Sequence, residues 1–351
     1  MKAFVMAAGV GTRLEPLTLA VPKPMIPVCN VPIMEYNIEL LKKYGLTDIT
    51  ANLHYFPEQI ENYFKDGSSF GVNMDYSFEE ELMGTAGGVK KMAGLSGLSA
   101  GENAVVLSSD VLTDIDLALL IKRHKDSGSK ATIALIEVED ISEFGVVVTD
   151  NYGRITAFQE KPKNEDALSK LVNTGVYILE KEVIDLIPVE TFFDFGKQLF
   201  PLLVKNKVPF FGFAAGSYWK DIGNIPSYVA ANFDVAGGRV KTAFDHGKSV
   251  RSGVISGNHS HIDESAGFSG SAVIGAGCTI EKGVSIKDSV IWSGVRIGKD
   301  TSIDSSVIGS HCIIEADCVI GKNCVIASGN HIKKGSILPK NTLLQPQQPV
   351  Q

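Results

Sequence analysis

The stretch Gly9-Val10-Gly11-Thr12-Arg13-Leu14-Glu15-Pro16-Leu17-Thr18, with Lys23-Pro24 close behind, holds residue types suited to polyphosphate chemistry. Two glycines one residue apart let a backbone turn tightly and bring its N–H groups against an anion, with no Cβ in the way. Arg13 adds a rigid fork of donors matched to phosphate oxygens, and Lys23 a compact, mobile charge. The preceding run Ala3-Phe4-Val5-Met6-Ala7-Ala8 reads as a buried strand entering that turn. Ala7, Ala8, Gly9, Gly11, Thr12 and Arg13 are therefore candidate contacts for the phosphates of a nucleotide. Two better-known phosphate loops do not fit: Leu14 stands where the dinucleotide fingerprint needs its third glycine, and Gly-x-x-x-x-Gly-Lys-Ser/Thr does not occur.

A second chemical position is Asp110. The apolar run Ala104-Val105-Val106-Leu107 delivers Ser108-Ser109-Asp110 to the C-terminal end of a strand, where open α/β sheets bind their ligands. A carboxylate there is the hard oxygen ligand that Mg²⁺ prefers when it bridges to phosphates. Asp221, in Tyr218-Trp219-Lys220-Asp221-Ile222-Gly223, lies so far along the chain that only the fold can bring it beside Asp110. Read alone, Glu160-Lys161-Pro162 is a solvated charged turn, and Val172-Asn173-Thr174-Gly175-Val176-Tyr177 a strand with a bulge at Gly175. His246, His259, His261, His311 and His331 form no ligand spacing.

The elements that must hold these residues alternate short apolar runs with amphipathic stretches, the pattern of an α/β layered domain. Pro32 opens a helix with Ile33, Tyr36, Asn37, Leu40, Leu41 and Tyr44 at helical spacing, and Gly45 closes it. Asp48 to Leu53 reads as a strand and Pro57 to Phe64 as a helix, and Val72, Met74 and Tyr76 alternate as one face of a strand does. Further strands are expected over 130–138, 145–149, 154–158 and 172–179, and helices over 117–125, 195–205 and 226–234.

Near Ala236-Gly237-Gly238 the texture changes. From Val204 to Ile337 the chain holds no leucine. Isoleucine instead recurs at 274, 280, 286, 291, 297, 303, 308, 314, 320, 326, 332 and 337, in steps of six broken by occasional steps of five. This hexapeptide repeat predicts a parallel β-helix: three flat faces per coil, each isoleucine pointing inward onto its equivalent one coil away, and each step of five a residue lost at a corner. Cys278, Cys312, Cys318 and Cys324 each precede an isoleucine by two residues, in the slot for a small side chain. That spacing puts successive cysteines on different faces, which argues against zinc.

The string Gly-x-Gly-Thr-Arg-Leu-x-Pro-x-Thr with Lys-Pro behind it resembles the signature of the sugar-1-phosphate nucleotidyltransferases. Their other motifs follow in order: Gly84-Thr85-Ala86-Gly87-Gly88 after Glu79-Glu80-Glu81-Leu82-Met83, Phe144-Gly145-Val146-Val147-Val148, Glu160-Lys161-Pro162, Asn173-Thr174-Gly175 and Trp219-Lys220-Asp221-Ile222-Gly223. Phe144 replaces the family's tyrosine, and Ser109 a glycine often found before the metal-binding aspartate. The motif order is closest to the mannose-1-phosphate guanylyltransferase group with a hexapeptide tail. The resemblance implies a Rossmann-like nucleotidyltransferase domain with a mixed sheet at residues 1–235, a linker at 236–252 and a left-handed parallel β-helix at 253–345. It implies Mg²⁺ held by Asp110 and Asp221, catalytic cations at Arg13, Lys23 and Lys161, and nucleotide contacts that include Gly84, Thr85 and Asp110. The sugar side falls to Gly145, Glu160, Asn173 and Thr174. The implied reaction is NTP plus sugar 1-phosphate giving NDP-sugar and pyrophosphate, with GTP and mannose 1-phosphate the first pair. Glucose 1-phosphate with UTP, dTTP or ATP, an added acyltransferase, and a non-catalytic regulatory subunit are the alternatives.

The 351 residues suffice for two cored domains, and the net charge of −7 offers no basic field for nucleic acid. The chain shows neither a signal-peptide pattern nor a membrane-length apolar run, and its five cysteines fit a reducing cytoplasm. The repeat is expected to drive homo-oligomerisation through its open ends and flat faces.

Overall fold

The computed structural model describes residues 1–347. Contacts divide the chain into two compact units interleaved in sequence, one of residues 1–9 and 34–221, the other of residues 10–33 and 222 onward.

The first unit is built on a nine-stranded mixed sheet. Its elements in chain order are β1 (Lys2–Met6), α1 (Ile33–Lys43), β2 (Asp48–Leu53), α2 (Pro57–Phe64), β3 (Asn73–Phe78), α3 (Gly84–Leu95), β4 (Asn103–Ser108), β5 (Val111–Thr113), α4 (Leu117–Asp126), β6 (Ala131–Glu137), β7 (Gly145–Thr149), β8 (Ile155–Glu160), β9 (Leu171–Glu180), β10 (Phe210–Ala214) and β11 (Trp219–Asp221). The strand order is β8-β7-β9-β4-β1-β2-β3, with β6 pairing β9 and β10. Pairing is parallel among β4, β1, β2 and β3 and antiparallel where β9 meets β4. From β1 the chain first builds outward through β2 and β3, then returns to place β4 on the other side of β1. That reversal is the topological switch point, at which the strand ends splay and leave a crevice.

The central strands are buried on both faces, which explains why Ala3-Phe4-Val5 and Ala104-Val105-Val106-Leu107 are continuous apolar runs rather than alternating ones. Beneath them, Tyr177, Phe195, Phe200 and Phe210 form an aromatic cluster, with neighbouring ring centroids between 4.8 and 5.4 Å apart.

The helix opened at Pro32 runs over Ile33–Lys43, and Gly45 beyond it sits at φ +73°. Gly84 to Gly88 form the first turn of α3. One expected helix needed correction. The segment 195–205 is a wide π turn over Phe195–Leu199 followed by a short α-helix over Phe200–Lys205. Pro201 has no N–H to carry the hydrogen-bond ladder across the junction, and Asp194 caps the start by accepting from the N–H groups of Gly196 and Lys197. Finally, β5, β10 and β11 are strands that the sequence reading did not mark.

In the second unit, residues 10–33 carry short 3₁₀ turns and a hairpin of Pro27–Val28 with Val31–Pro32. This segment is tied to the helix Ile225–Ala236 and to the β-helix. The Tyr228 hydroxyl donates to the Pro27 carbonyl at 2.7 Å and accepts from the Trp292 indole at 2.8 Å. Asn232 accepts from the Cys29 N–H at 2.7 Å. Asn30 donates to the carbonyls of Ile274, at 3.1 Å, and His246, at 3.2 Å.

The repeat forms the parallel β-helix its period predicts, except at Ile337, which is exposed: Leu338 pairs with Ile320 instead, so the last step is six residues and not five. Ile274, Ile291, Ile308 and Ile326 pair in register along one face, Ile280, Ile297, Ile314 and Ile332 along a second, and Ile286, Ile303 and Ile320 along the third. All are buried. The step of five is visible at Ser285–Ile291, one continuous strand that carries Ile286 on one face and Ile291 on the next. A Cβ on Gly275 would stand 2.3 Å from the Ser293 backbone nitrogen, and one on Gly298 2.6 Å from that of Ala316. The glycines after the isoleucines thus mark where successive coils touch backbone to backbone. Each repeat cysteine donates its S–H to a carbonyl, as Cys312 does to Ala327 at 3.2 Å and Cys324 to Pro339 at 3.2 Å. Burial pushes the Cys312 thiol up to about 11, away from the thiolate a metal needs.

Candidate active site

In the first unit Ala7, Ala8, Gly9 and Asp110 lie together at the C-terminal ends of β1 and β4. Register places Met6 beside Ser108, and the Ser109 N–H donates to the Met6 carbonyl at 3.1 Å. Ala7, Ala8 and Gly9 therefore leave the sheet next to Ser109 and Asp110. Gly9 has open space where a Cβ would be. Ser108 donates its hydroxyl to the Asp110 carboxylate, which fixes one carboxylate oxygen.

Asp221 arrives by the short β5–β11 ribbon. There Asp221 pairs with Val111, the residue after Asp110, so two aspartates far apart in sequence are brought to the same end of the ribbon. The ribbon is anchored by the Thr113 hydroxyl donating to the Tyr218 carbonyl at 2.7 Å and by the Trp219 indole donating to the Thr174 carbonyl at 2.8 Å. The described residues contain no cluster of three or more His, Cys, Asp or Glu side chains able to hold a metal. Two carboxylates fit the habit of Mg²⁺, which takes one or two from protein and the rest from water and substrate phosphates.

The sugar-side candidates lie on β7, β8 and β9. β8 ends at Glu160 opposite Gly145 on β7. A Cβ on Gly145 would come within 2.5 Å of the Phe158 ring, and one on Gly196 within 2.2 Å of a Glu160 carboxylate oxygen. These two glycines make the slot that the carboxylate fills, although Glu160 as a whole is exposed. Burial of the carboxylate, seconded by the Asp194 charge and opposed by Lys161 and Lys197, raises the Glu160 pKa above its ordinary value. Lys161 turns away at φ +45°, a left-handed conformation rare for a non-glycine residue and common at functional sites.

On β9 the foreseen bulge is present: register shifts between Asn173 and Tyr177, with Gly175 at φ +78°. Asn173 spans it, accepting from the Gly175 N–H and donating to the Tyr177 hydroxyl, both at 3.0 Å. Thr174 is buried, and its hydroxyl donates to the Ala134 carbonyl at 2.7 Å, so this side chain serves packing. Gly84 and Thr85 start α3 against residues 191–195. A Cβ on Gly84 would stand 2.6 Å from the Phe193 carbonyl oxygen, which accepts from the N–H groups of Ala86 and Gly87. The Thr85 hydroxyl donates to Asp194 and accepts from the Phe195 N–H, both at 2.9 Å. Asp194 and Gly196 are residues that sequence reasoning missed. An aspartate directly before an expected helix was the available signal for the first.

The second unit holds the remaining candidates together. Gly11 sits at φ +77°, and a Cβ there would meet the Lys23 side chain at 3.0 Å and the Thr18 methyl at 3.1 Å. The Thr18 hydroxyl donates to the Gly11 carbonyl at 3.0 Å. Lys23 is largely buried against this turn, while Thr12 and Arg13 are exposed on the 3₁₀ turn that follows it.

Residues 2–237 match the nucleotidyl transferase family, and residues 239–338 match the LbH domain of the EIF2B epsilon subunit. A UTP–glucose-1-phosphate uridylyltransferase from Synechocystis is 38% identical, over 89% of this chain and 88% of its own length. A mannose-1-phosphate guanylyltransferase from Mycobacterium tuberculosis is 33% identical, over 84% of this chain and 80% of its own. Among solved structures, HddC from Yersinia pseudotuberculosis superposes with a TM-score of 0.57 at 26% identity, over 66% of this chain and 97% of that one. The same protein is also solved complexed with GMP-PN, with a TM-score of 0.56 at 25% identity. The chain belongs to the nucleotidyl transferase family, in the branch that acts on sugar 1-phosphates. No described helix is long and apolar enough to cross a membrane.

Proposed function

We propose that the chain transfers a nucleotidyl group from GTP to mannose 1-phosphate, releasing pyrophosphate and forming GDP-mannose. The observation that carries the reaction class is the β5–β11 pairing that sets Asp221 against Val111, the residue after Asp110, at the switch point beside the turn that leaves β1. A phosphate oxygen of the sugar 1-phosphate attacks the α-phosphorus in line, a new P–O bond forms, and the bond to the β-phosphate oxygen breaks. Such a transfer needs placement and charge neutralisation more than covalent help. Arg13 holds the departing pyrophosphate, and Lys23 and Lys161 the reacting phosphates. Ala7, Ala8, Gly9, Gly11, Thr12, Gly84 and Thr85 contact the nucleotide, and Gly145, Glu160 and Asn173 the sugar, with Thr174 supporting Asn173. Asp110 and Asp221 would hold Mg²⁺, which when bound neutralises phosphate charge.

The guanine assignment is supported by the relatives named mannose-1-phosphate guanylyltransferase and by the GMP-PN complex of HddC. The higher identity to the Synechocystis uridylyltransferase favours a second reading, UTP with glucose 1-phosphate. Base and sugar each turn on one or two hydrogen bonds. We assign residues 1–235 to catalysis, 236–252 to a linker and 253–345 to a β-helix module that self-associates in the cytoplasm. The test is pyrophosphate release with Mg²⁺ over a grid of nucleoside triphosphates and sugar 1-phosphates. Release confined to GTP with mannose 1-phosphate supports the proposal, and release with UTP and glucose 1-phosphate replaces it by the second reading. Silence across the grid overturns both in favour of a non-catalytic subunit.

A further inference from the structure

Behind the sheet edge lies a buried polar chain that none of the assigned roles uses. Glu79, just past β3, is 1% exposed and Asn52, on β2, is 3% exposed. The Ala7 N–H donates to Asn52 Oδ1 at 2.7 Å, Asn52 Nδ2 donates to Glu79 Oε1 at 2.7 Å, and the Met83 N–H donates to Glu79 Oε2 at 2.9 Å. Gly88 on α3 leaves the room: a Cβ there would stand 2.5 Å from Asn52 Nδ2 and 2.6 Å from Glu79 Oε1.

The chain ties the first residue after β1 to the last residue before α3. These two stretches belong to different elements, and the pairing of β1, β2 and β3 ends at Met6, Leu53 and Phe78, short of Met83. We infer that Asn52 and Glu79 are positioning residues that set the separation between the Ala7–Gly9 turn and the Gly84–Thr85 turn, and thereby the fit of the nucleoside triphosphate. This rests on the nucleotidyltransferase reading, in which both turns contact the nucleotide. A fully satisfied buried network rigidifies what it joins, and a nucleotide that spans both turns is sensitive to displacements of the order of 1 Å.

The polarity of the chain supplies the test. In Glu79→Gln the new amide sets a donor against either Asn52 Nδ2 or the Met83 N–H. In Asn52→Asp two carboxylates face one another. The double variant restores all three hydrogen bonds, with the middle one reversed, and keeps the net charge of the wild type. We expect each single variant to raise the KM for the nucleoside triphosphate about ten- to a hundredfold, the range for a buried polar group left unmatched. The KM for the sugar 1-phosphate should stay unchanged, and the double variant should return to near the wild-type value.

Additive losses in the double variant overturn the inference. So does a lowered melting temperature with both KM values unmoved, which marks a purely structural pair. Should the single variants not fold, Gly88→Ala drives a Cβ into the Asn52–Glu79 contact from the α3 side. A nucleotide KM unmoved in that variant overturns the inference, and one raised without change in the sugar 1-phosphate KM supports it. Wild-type protein that releases no pyrophosphate from any pair instead defeats the underlying functional reading. Nucleotide affinity measured by calorimetry then judges the same variants without turnover, and a Kd unchanged across them overturns the positioning role.

Discussion

Around the C-terminal ends of β1 and β4 and on the neighbouring β7–β9, individual polar side chains are held by partners particular to each. In the β-helix, most inward residues have an equivalent one coil away that meets the same surroundings. The first region concentrates consequence in single groups. Ser108 holds Asp110, β11 brings Asp221, and Gly145 with Gly196 frames Glu160. The second spreads it over stacked isoleucines, so no one of them bears on chemistry and each bears on stability. A substitution in the first region should therefore change rate more than melting, and one in the β-helix should do the reverse.

The largest effect that could break this contrast is at the carboxylates. Asp110→Asn or Asp221→Asn should lower turnover by at least about a hundredfold, the range for losing one charge-stabilising group. Removal of Mg²⁺ by EDTA should do the same, with calorimetric melting of the protein unmoved in each case. Conversely, Ile303→Ala, at a fully packed position, should cost about 2–5 kcal/mol of stability while kcat and KM stay at wild-type values. Gly298→Ala should cost about 1–3 kcal/mol, because its Cβ meets the Ala316 backbone rather than a side chain that can move aside. Denaturant titration checks both.

Smaller still is a pH effect. In the proposed reaction Glu160 would read a sugar hydroxyl as a carboxylate, and its folded pKa is raised by burial and by Asp194. The KM for sugar 1-phosphate should therefore climb, as pH falls, at a higher pH than an ordinary glutamate would give. Asp194→Asn should move that limb back down. A raised folded pKa means that the stability contributed by protonated Glu160 is present below the unfolded pKa and lost as pH rises through the folded one. Glu160→Gln should then stabilise the protein at neutral pH while weakening sugar binding. Smallest of all, a zinc chelator should leave melting unchanged, since the cysteine sulfurs already donate to backbone carbonyls.

The same contrast decides what could be read from sequence. The isoleucine period was legible because it is local and repeated, and one six-residue step predicts the next. The signature turn was legible because Gly11, Arg13 and Lys23 lie in one short stretch, residues 11–23. Asn52 and Glu79 carried no such mark. Nothing in Glu79-Glu80-Glu81 singles out the residue that ends up buried, because its burial depends on β2 and on the missing side chain of Gly88. The strand at β11 was hidden for a similar reason. Only three residues long, it exists through pairing with β5, which lies far from it in sequence.

The hydrogen bonds that run from Pro27 through Tyr228 to Trp292 also fix a schedule. During synthesis, residues 10–33 leave the ribosome first, yet their buried partners leave near the end. At about 5–20 residues per second, Trp292 follows Ile33 by roughly 10–50 s. For that interval the segment bearing Arg13 and Lys23 waits without its backing, so the nascent chain can complete the sheet well before it can complete this segment.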